Sequence, residues 1–128
     1  MIRITLLAAS LAVTPPAGPA FEVPGTVTRT SALEYGRGFT PIVVASAGRS
    51  GVAVAFECGS DGSAWFAMGA PVTAASAGAR MSATIHGRPD IDVIPTQCRV
   101  PGAWLRAVVT GGTGSPITLS SLAIEVSQ

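Results

Sequence analysis

Punctuation limits this fold more than any other feature: fifteen glycines and ten prolines are spread along 128 residues. They divide the chain into short runs whose apolar residues recur at every second position. A helix needs ten or more residues with an i, i+3, i+4, i+7 apolar stripe. No window beyond the first twenty residues carries one. The clearest run is 51–58 (GVAVAFEC), where Val52, Val54, Phe56 and Cys58 share one face and Ala53, Ala55 and Glu57 the other. GSDGS follows at 59–63, and its Asp61-Gly62 pair reaches positive φ at little cost. Residues 64–68 (AWFAM) then return as the partner strand of a hairpin.

The same pattern recurs along the chain. Residues 26–30 (TVTRT) are β-branched and polar, as in an edge or half-exposed strand. Residues 39–45 (FTPIVVA) are apolar, but Pro41 lacks an N–H and assigns at least the start of this run to an edge or bulge. Met81, Ala83 and Ile85 alternate with Ser82, Thr84 and His86, and 91–94 form a further short run after a turn at 87–89. Residues 103–110 (AWLRAVVT) and 117–126 complete the set. In the last run the apolar phase shifts at Ser120-Ser121, from Ile117 and Leu119 to Leu122, Ile124 and Val126, which is the signature of a β-bulge. About eight short strands joined by turns predict one all-β domain over 1–128, a compact antiparallel β-sandwich of Ig-like or jelly-roll-like form.

Composition excludes several function classes. Charged residues are 12% of the chain, against roughly 25% in an ordinary soluble domain. Every basic residue is arginine, and the net charge is +1. That leaves no basic face for phosphate neutralisation, so nucleic acid is not an expected partner. No run approaches the roughly 18 apolar residues of a membrane helix. The 48% hydrophobic content is too high for a disordered chain. A surface this sparing in charge points towards coverage by a partner, because free monomers use interspersed charge to stay soluble.

The N-terminus supports two readings. Arg3, an apolar stretch over 4–13 and an Ala-Gly-Pro-Ala junction ending at Ala20 have the layout of a secretory signal peptide over 1–20. Pro15, Pro16 and Pro19 crowd that junction. Ile2, Ile4 and Leu6 also alternate with Arg3 and Thr5 as in a half-buried strand, with a Pro-rich loop behind it and Phe21 and Val23 opening the next. We carry forward an uncleaved strand or arm over 1–23.

Candidate chemistry is sparse. His86 is the one histidine, and it falls on the polar face of its run with no second ligand for zinc nearby. Asp90 and Asp92 share a strand face. Paired acids can do acid–base work, but calcium takes six or more oxygens from a dedicated loop, and otherwise only Glu57 and Asp61 stand out. A solvated face that discourages edge pairing accounts for the two aspartates. No G-x-S-x-G elbow is present. The GRSG of 48–51 and the GGTGS of 111–115 precede no helix and carry no P-loop lysine, so they read as turns. We expect no enzyme, no cofactor and no metal. Cys58 and Cys98 are a disulfide in an exported chain and two small buried apolar side chains in a reducing compartment. Trp65, Trp104 and Tyr35 are candidates for an aromatic glycan platform. Trp65 adjoins Phe66, so one of these two faces inward and the other outward.

Three segments together, ITLLAAS, FECGSDGSAWFAMG and WLRAVVTGGTGSPITLSSLAIEV, resemble the strand-and-turn texture of small virion proteins of tailed bacteriophages. These are the head decoration (cement) and head–tail accessory proteins. The resemblance implies a first strand that is retained, a low-charge surface seated on a lattice, and no active site. It further implies the major capsid protein lattice as partner, a virion location on the capsid surface, and homo-oligomers, with trimers at threefold positions by analogy. The two cysteines are not part of that pattern. The expected function is therefore non-enzymatic decoration and stabilisation of a phage or phage-like capsid. One alternative is a secreted or periplasmic disulfide-bonded β-sandwich that binds glycans through Trp65 or Tyr35. Another is a phage spike or tail accessory component.

Overall fold

The computed structural model describes residues 2–7, 9, 11–13, 21–47, 53–73, 80–82, 85–86, 94–110 and 117–127. Eleven strands lie among them: β1 (Ile2–Leu7), β2 (Leu11–Val13), β3 (Phe21–Glu22), β4 (Thr28–Thr30), β5 (Gly38–Ala47), β6 (Ala53–Gly59), β7 (Phe66–Thr73), β8 (Arg80–Ser82), β9 (Ile85–His86), β10 (Ala103–Thr110) and β11 (Ile117–Ser127). A single 3-10 turn, Thr96–Cys98, precedes β10. The sequence pattern contains no sign of it.

Two antiparallel sheets result. In the first, β1 and β2 lie end to end along one side of β11, β5 flanks its other side, and β8 and β9 lie along the far side of β5. In the second, β3 and β4 share one side of β10, followed by β6 and then β7. Among the described residues the eleven segments fill eight ladder positions, four in each sheet; most of the expected run 91–94 lies outside the described residues.

Alternation produces the core. Ile4, Leu6, Phe39, Val43, Leu119, Leu122, Ile124 and Val126 from the first sheet meet Val54, Phe56, Cys58, Met68, Leu105, Ala107 and Val109 from the second in one cluster. The expected bulge in the last strand is present: Leu119 pairs with Ala45 and Ser121 with Val44, with a register shift between them. The expected hairpin is β6 and β7. Its turn has Gly62 at φ 74, and Asp61 Oδ1 accepts the N–H groups of Ser63 and Ala64 at 2.9 and 3.0 Å. These two bonds favour the ionised carboxylate, and the Asp61 pKa is lowered, with the Ala64 N–H the larger cause. A Cβ on Gly59 would collide with the Ala64 carbonyl oxygen, so the chain can close the hairpin here only with glycine.

One expectation is corrected. Pro41 does not demote its strand, because β5 runs ten residues through the interior of the first sheet. On the side away from β11, the described pairs reach Phe39 with β9 and resume at Ile42 with β8. On the other side Pro41 pairs with Ile124 of β11. Of the two forms expected for the N-terminal segment, strand or arm, residues 2–7 take the strand. β1 pairs with β11 from Ile2↔Val126 to Leu7↔Leu122, and it buries Ile4 and Leu6 in the core.

Candidate functional site

The outer face of the second sheet gathers most of the described chemistry-bearing side chains. In β10 the inward Ala103, Leu105 and Ala107 alternate with Trp104 and Arg106, which therefore face outward. Register then selects their neighbours. Arg106 lies opposite Glu57 on β6, and Trp104 lies opposite Arg29 on β4. Glu22 on β3 pairs with Val108, one outward position further along.

Arg106 donates from all three of its nitrogens in this arrangement. Its Nε and Nη2 donate to Glu57 Oε1 at 2.8 and 2.6 Å, and its Nη1 donates to Glu22 Oε1 at 3.1 Å. The Arg106 and Glu57 side chains are each about three-quarters buried, so water screens this pair far less than it does an open surface pair. The guanidinium also lies 4.3 Å from the centroid of the Trp65 ring. Phe66 pairs with Cys58 on the inward phase of β6 and β7. Of the two adjacent aromatics, Trp65 is therefore the outward one. The second aromatic unit repeats the pattern. Arg29 sits 5.0 Å from the Trp104 ring centroid and donates from Nε to the Gly102 carbonyl at 3.1 Å. Gly62 of the β6–β7 turn lies against the same indole, where a Cβ would approach to 3.1 Å. Each tryptophan thus has an arginine packed on it (a cation–π pair), which stabilises the pair and covers ring surface.

Tyr35 lies elsewhere, in the turn between β4 and β5, and is 74% exposed. No described contact joins it to Trp65. Cys58 and Cys98 are disulfide-bonded across 40 residues with Cα atoms 5.8 Å apart, and both are fully buried. The bond ties the middle of the second sheet to the 3-10 turn. There Cys98 N–H donates to Pro95 O, Ile94 packs in the core, and Arg99 Nη1 reaches the Gly36 carbonyl at 2.7 Å. His86 pairs with Gly38 in β9. Asp90, Asp92 and the glycine turns at 48–51 and 111–115 lie outside the described residues. Among the described residues no three His, Cys, Asp or Glu side chains converge as metal ligands, and no helix is long and apolar enough to cross a membrane.

The parts of this face that sequence reasoning missed are Arg29, Glu22 and the Arg106–Glu57 pair. Alternation in AWLRAVV signals that Trp104 and Arg106 share a face. Nothing local signals which acids stand opposite. Comparison with protein-family models, curated proteins and solved structures finds no match to this chain.

Proposed function

We propose that this chain is a non-enzymatic virion structural protein that decorates and stabilises the capsid of a phage or phage-like particle. The observation that carries this reading is β1: the segment that also has a leader's layout is zipped along β11, with Ile4 and Leu6 in the core. This pairing supports reading the segment as part of the sandwich rather than as a leader. Supporting this, the polar groups of the outer β10 face are tied to one another, as in Arg106 with Glu57 and Glu22, which suits a scaffold more than a reaction centre. Mechanistically, each copy contributes modest binding free energy at a joint between capsid subunits, and repetition over the lattice multiplies the effect. The test is co-sedimentation of the purified full-length chain with undecorated capsids of the particle that encodes it. Saturable binding that raises the temperature of capsid disruption is expected. Absence of binding overturns the reading.

A second reading is favoured by the Cys58–Cys98 bond, since disulfides persist in oxidising compartments. It is a secreted or periplasmic β-sandwich binding module, with glycans meeting the outward Trp65. Non-reduced intact mass of the protein from its natural source separates the two. Loss of about the first 20 residues, at the junction a signal peptidase would cut, supports export. A mass that retains them supports the virion protein. In the export case, glycan-array binding abolished by Trp65→Ala completes the assignment.

A further inference from the structure

The outer face of the second sheet carries one cation that folding fixes in place and leaves without an acid. Arg29 stands on β4 opposite Trp104. Its guanidinium carbon lies 5.0 Å from the indole centroid, and its Nε donates to the Gly102 carbonyl at 3.1 Å. Gly102 is held in turn, since its N–H donates to Ser31 Oγ at 2.9 Å and its φ is 67°. A Cβ there would come within 2.8 Å of Arg29 Nη2. Glycine therefore serves both the backbone turn and the close approach of the arginine. An exposed arginine ordinarily samples many rotamers and loses that freedom on binding. Arg29 is ordered already.

Among the described residues no carboxylate pairs with Arg29, and Nε is its one nitrogen with a described acceptor. Arg106, on the same face, is the contrast, because Glu57 and Glu22 meet its charge. A planar guanidinium with Nη1 and Nη2 open matches a carboxylate, which accepts two parallel N–H bonds. One uncompensated positive charge balances one carboxylate, whereas a phosphate group carries up to about two negative charges. The surroundings fit a protein surface better than a sugar. Both tryptophans of the chain stand on this face, each with an arginine, and Trp and Arg are the residues enriched where protein–protein binding energy concentrates. Trp104 is held between Arg29 and Gly62, which come from opposite sides of β10. Its ring is thus packed from within the fold and poorly placed to stack on a sugar. The outward Ala55 and Ala67 are small and let a second surface lie close to the sheet.

We propose that the outer face of the second sheet is the surface this protein sets against its capsid partner, with Arg29 gripping the carboxylate of an aspartate or glutamate that the partner presents. This inference rests on the virion reading and goes beyond it, because it names the docking face and the chemistry of the residue opposite. A pre-ordered guanidinium fixes the register of one surface on the other, and the flanking Trp104 excludes water from the charged pair.

The experiment is co-sedimentation of the full-length wild type, Arg29→Glu, Arg29→Lys and Arg37→Glu with undecorated capsids, after far-ultraviolet circular dichroism has shown each variant folded. Arg37 is exposed, and its N–H donates to Ser127 at the end of the first sheet, so it controls for net charge. Arg29→Glu is expected to weaken binding at least about 30-fold, the loss typical of a residue that dominates an interface. Arg29→Lys keeps the charge without the planar fork and is expected to bind more weakly than wild type, which also keeps the test open should the charge reversal unfold the chain. Arg37→Glu is expected to bind as wild type. Wild-type affinity in both Arg29 variants overturns this docking face and leaves the capsid reading standing. Equal losses in Arg29→Glu and Arg37→Glu overturn it as well, since net charge alone would then govern binding. A wild type that ignores capsids overturns both. If that wild type binds sialylated or uronate-bearing glycans on an array and Arg29→Glu does not, the guanidinium serves the export reading instead.

Discussion

Replacing both cysteines by alanine tests how the second sheet is held. The bridge closes a loop of 40 residues. In the chain-entropy treatment, that loop removes about 13 cal/mol/K from the unfolded ensemble, or about 4 kcal/mol at 25 °C. For a chain of 128 residues, unfolding entropy near the midpoint is about 270 cal/mol/K, so the expected loss is about 15 °C in Tm. The sandwich itself should survive. Cys58 stands between Leu105 and Phe66 in the ladder, and the rest of the core cluster contains no disulfide. Paired melts of the oxidised wild type and Cys58→Ala/Cys98→Ala, followed by far-ultraviolet circular dichroism, make the measurement. A drop of less than about 3 °C would refute the loop argument, since the bridge would then be stabilising by under about 1 kcal/mol. A variant with no cooperative transition would refute the claim that the apolar core suffices.

Arg106→Ala leaves the Glu57 carboxylate, three-quarters buried, without its partner, and should cost about 1–2 kcal/mol in urea unfolding. Loss of the guanidinium from the Trp65 ring should also shift the tryptophan emission, and an unchanged midpoint and spectrum would contradict the coupling. Gly59→Ala drives a Cβ into the Ala64 carbonyl and should destabilise by about 1–3 kcal/mol. A neutral effect in the same assay would mean the hairpin closes differently. The Ala64 and Ser63 N–H groups lower the folded-state pKa of Asp61 from its ordinary value. Its contribution to stability is therefore fully present above the unfolded value and is lost as pH falls through the lower folded one. Carboxyl-carbon NMR titration should place its midpoint below that of Asp61 in the unfolded chain, and a midpoint at or above it would remove these bonds.

The two kinds of information divide along a physical line. Alternation and turn chemistry are local, and they were legible: the faces of 51–58, the Asp61-Gly62 turn, the Ser120-Ser121 bulge and the inward Ile4 and Leu6 each follow from residues within a few positions of one another. These amount to fold class, strand count and most of the core. Pro41 was misread because local chemistry says only that an N–H is missing. Whether that matters depends on which neighbours stand beside it, and β11 on one side with β8 and β9 on the other place β5 inside the sheet.

The candidate site was the least legible part for the same reason. Arg106, Glu57, Glu22 and Trp65 come from three strands and a turn that are up to 84 residues apart, and only the register of β10 against β3 and β6 sets them side by side. The same holds for Arg29 on Trp104, and for Cys58 and Cys98, whose identities allowed either thiols or a bridge. A side chain's face is decided by its own strand's period of two, but its partner is decided by how strands distant in sequence align, and that alignment exists only once the sheets have formed.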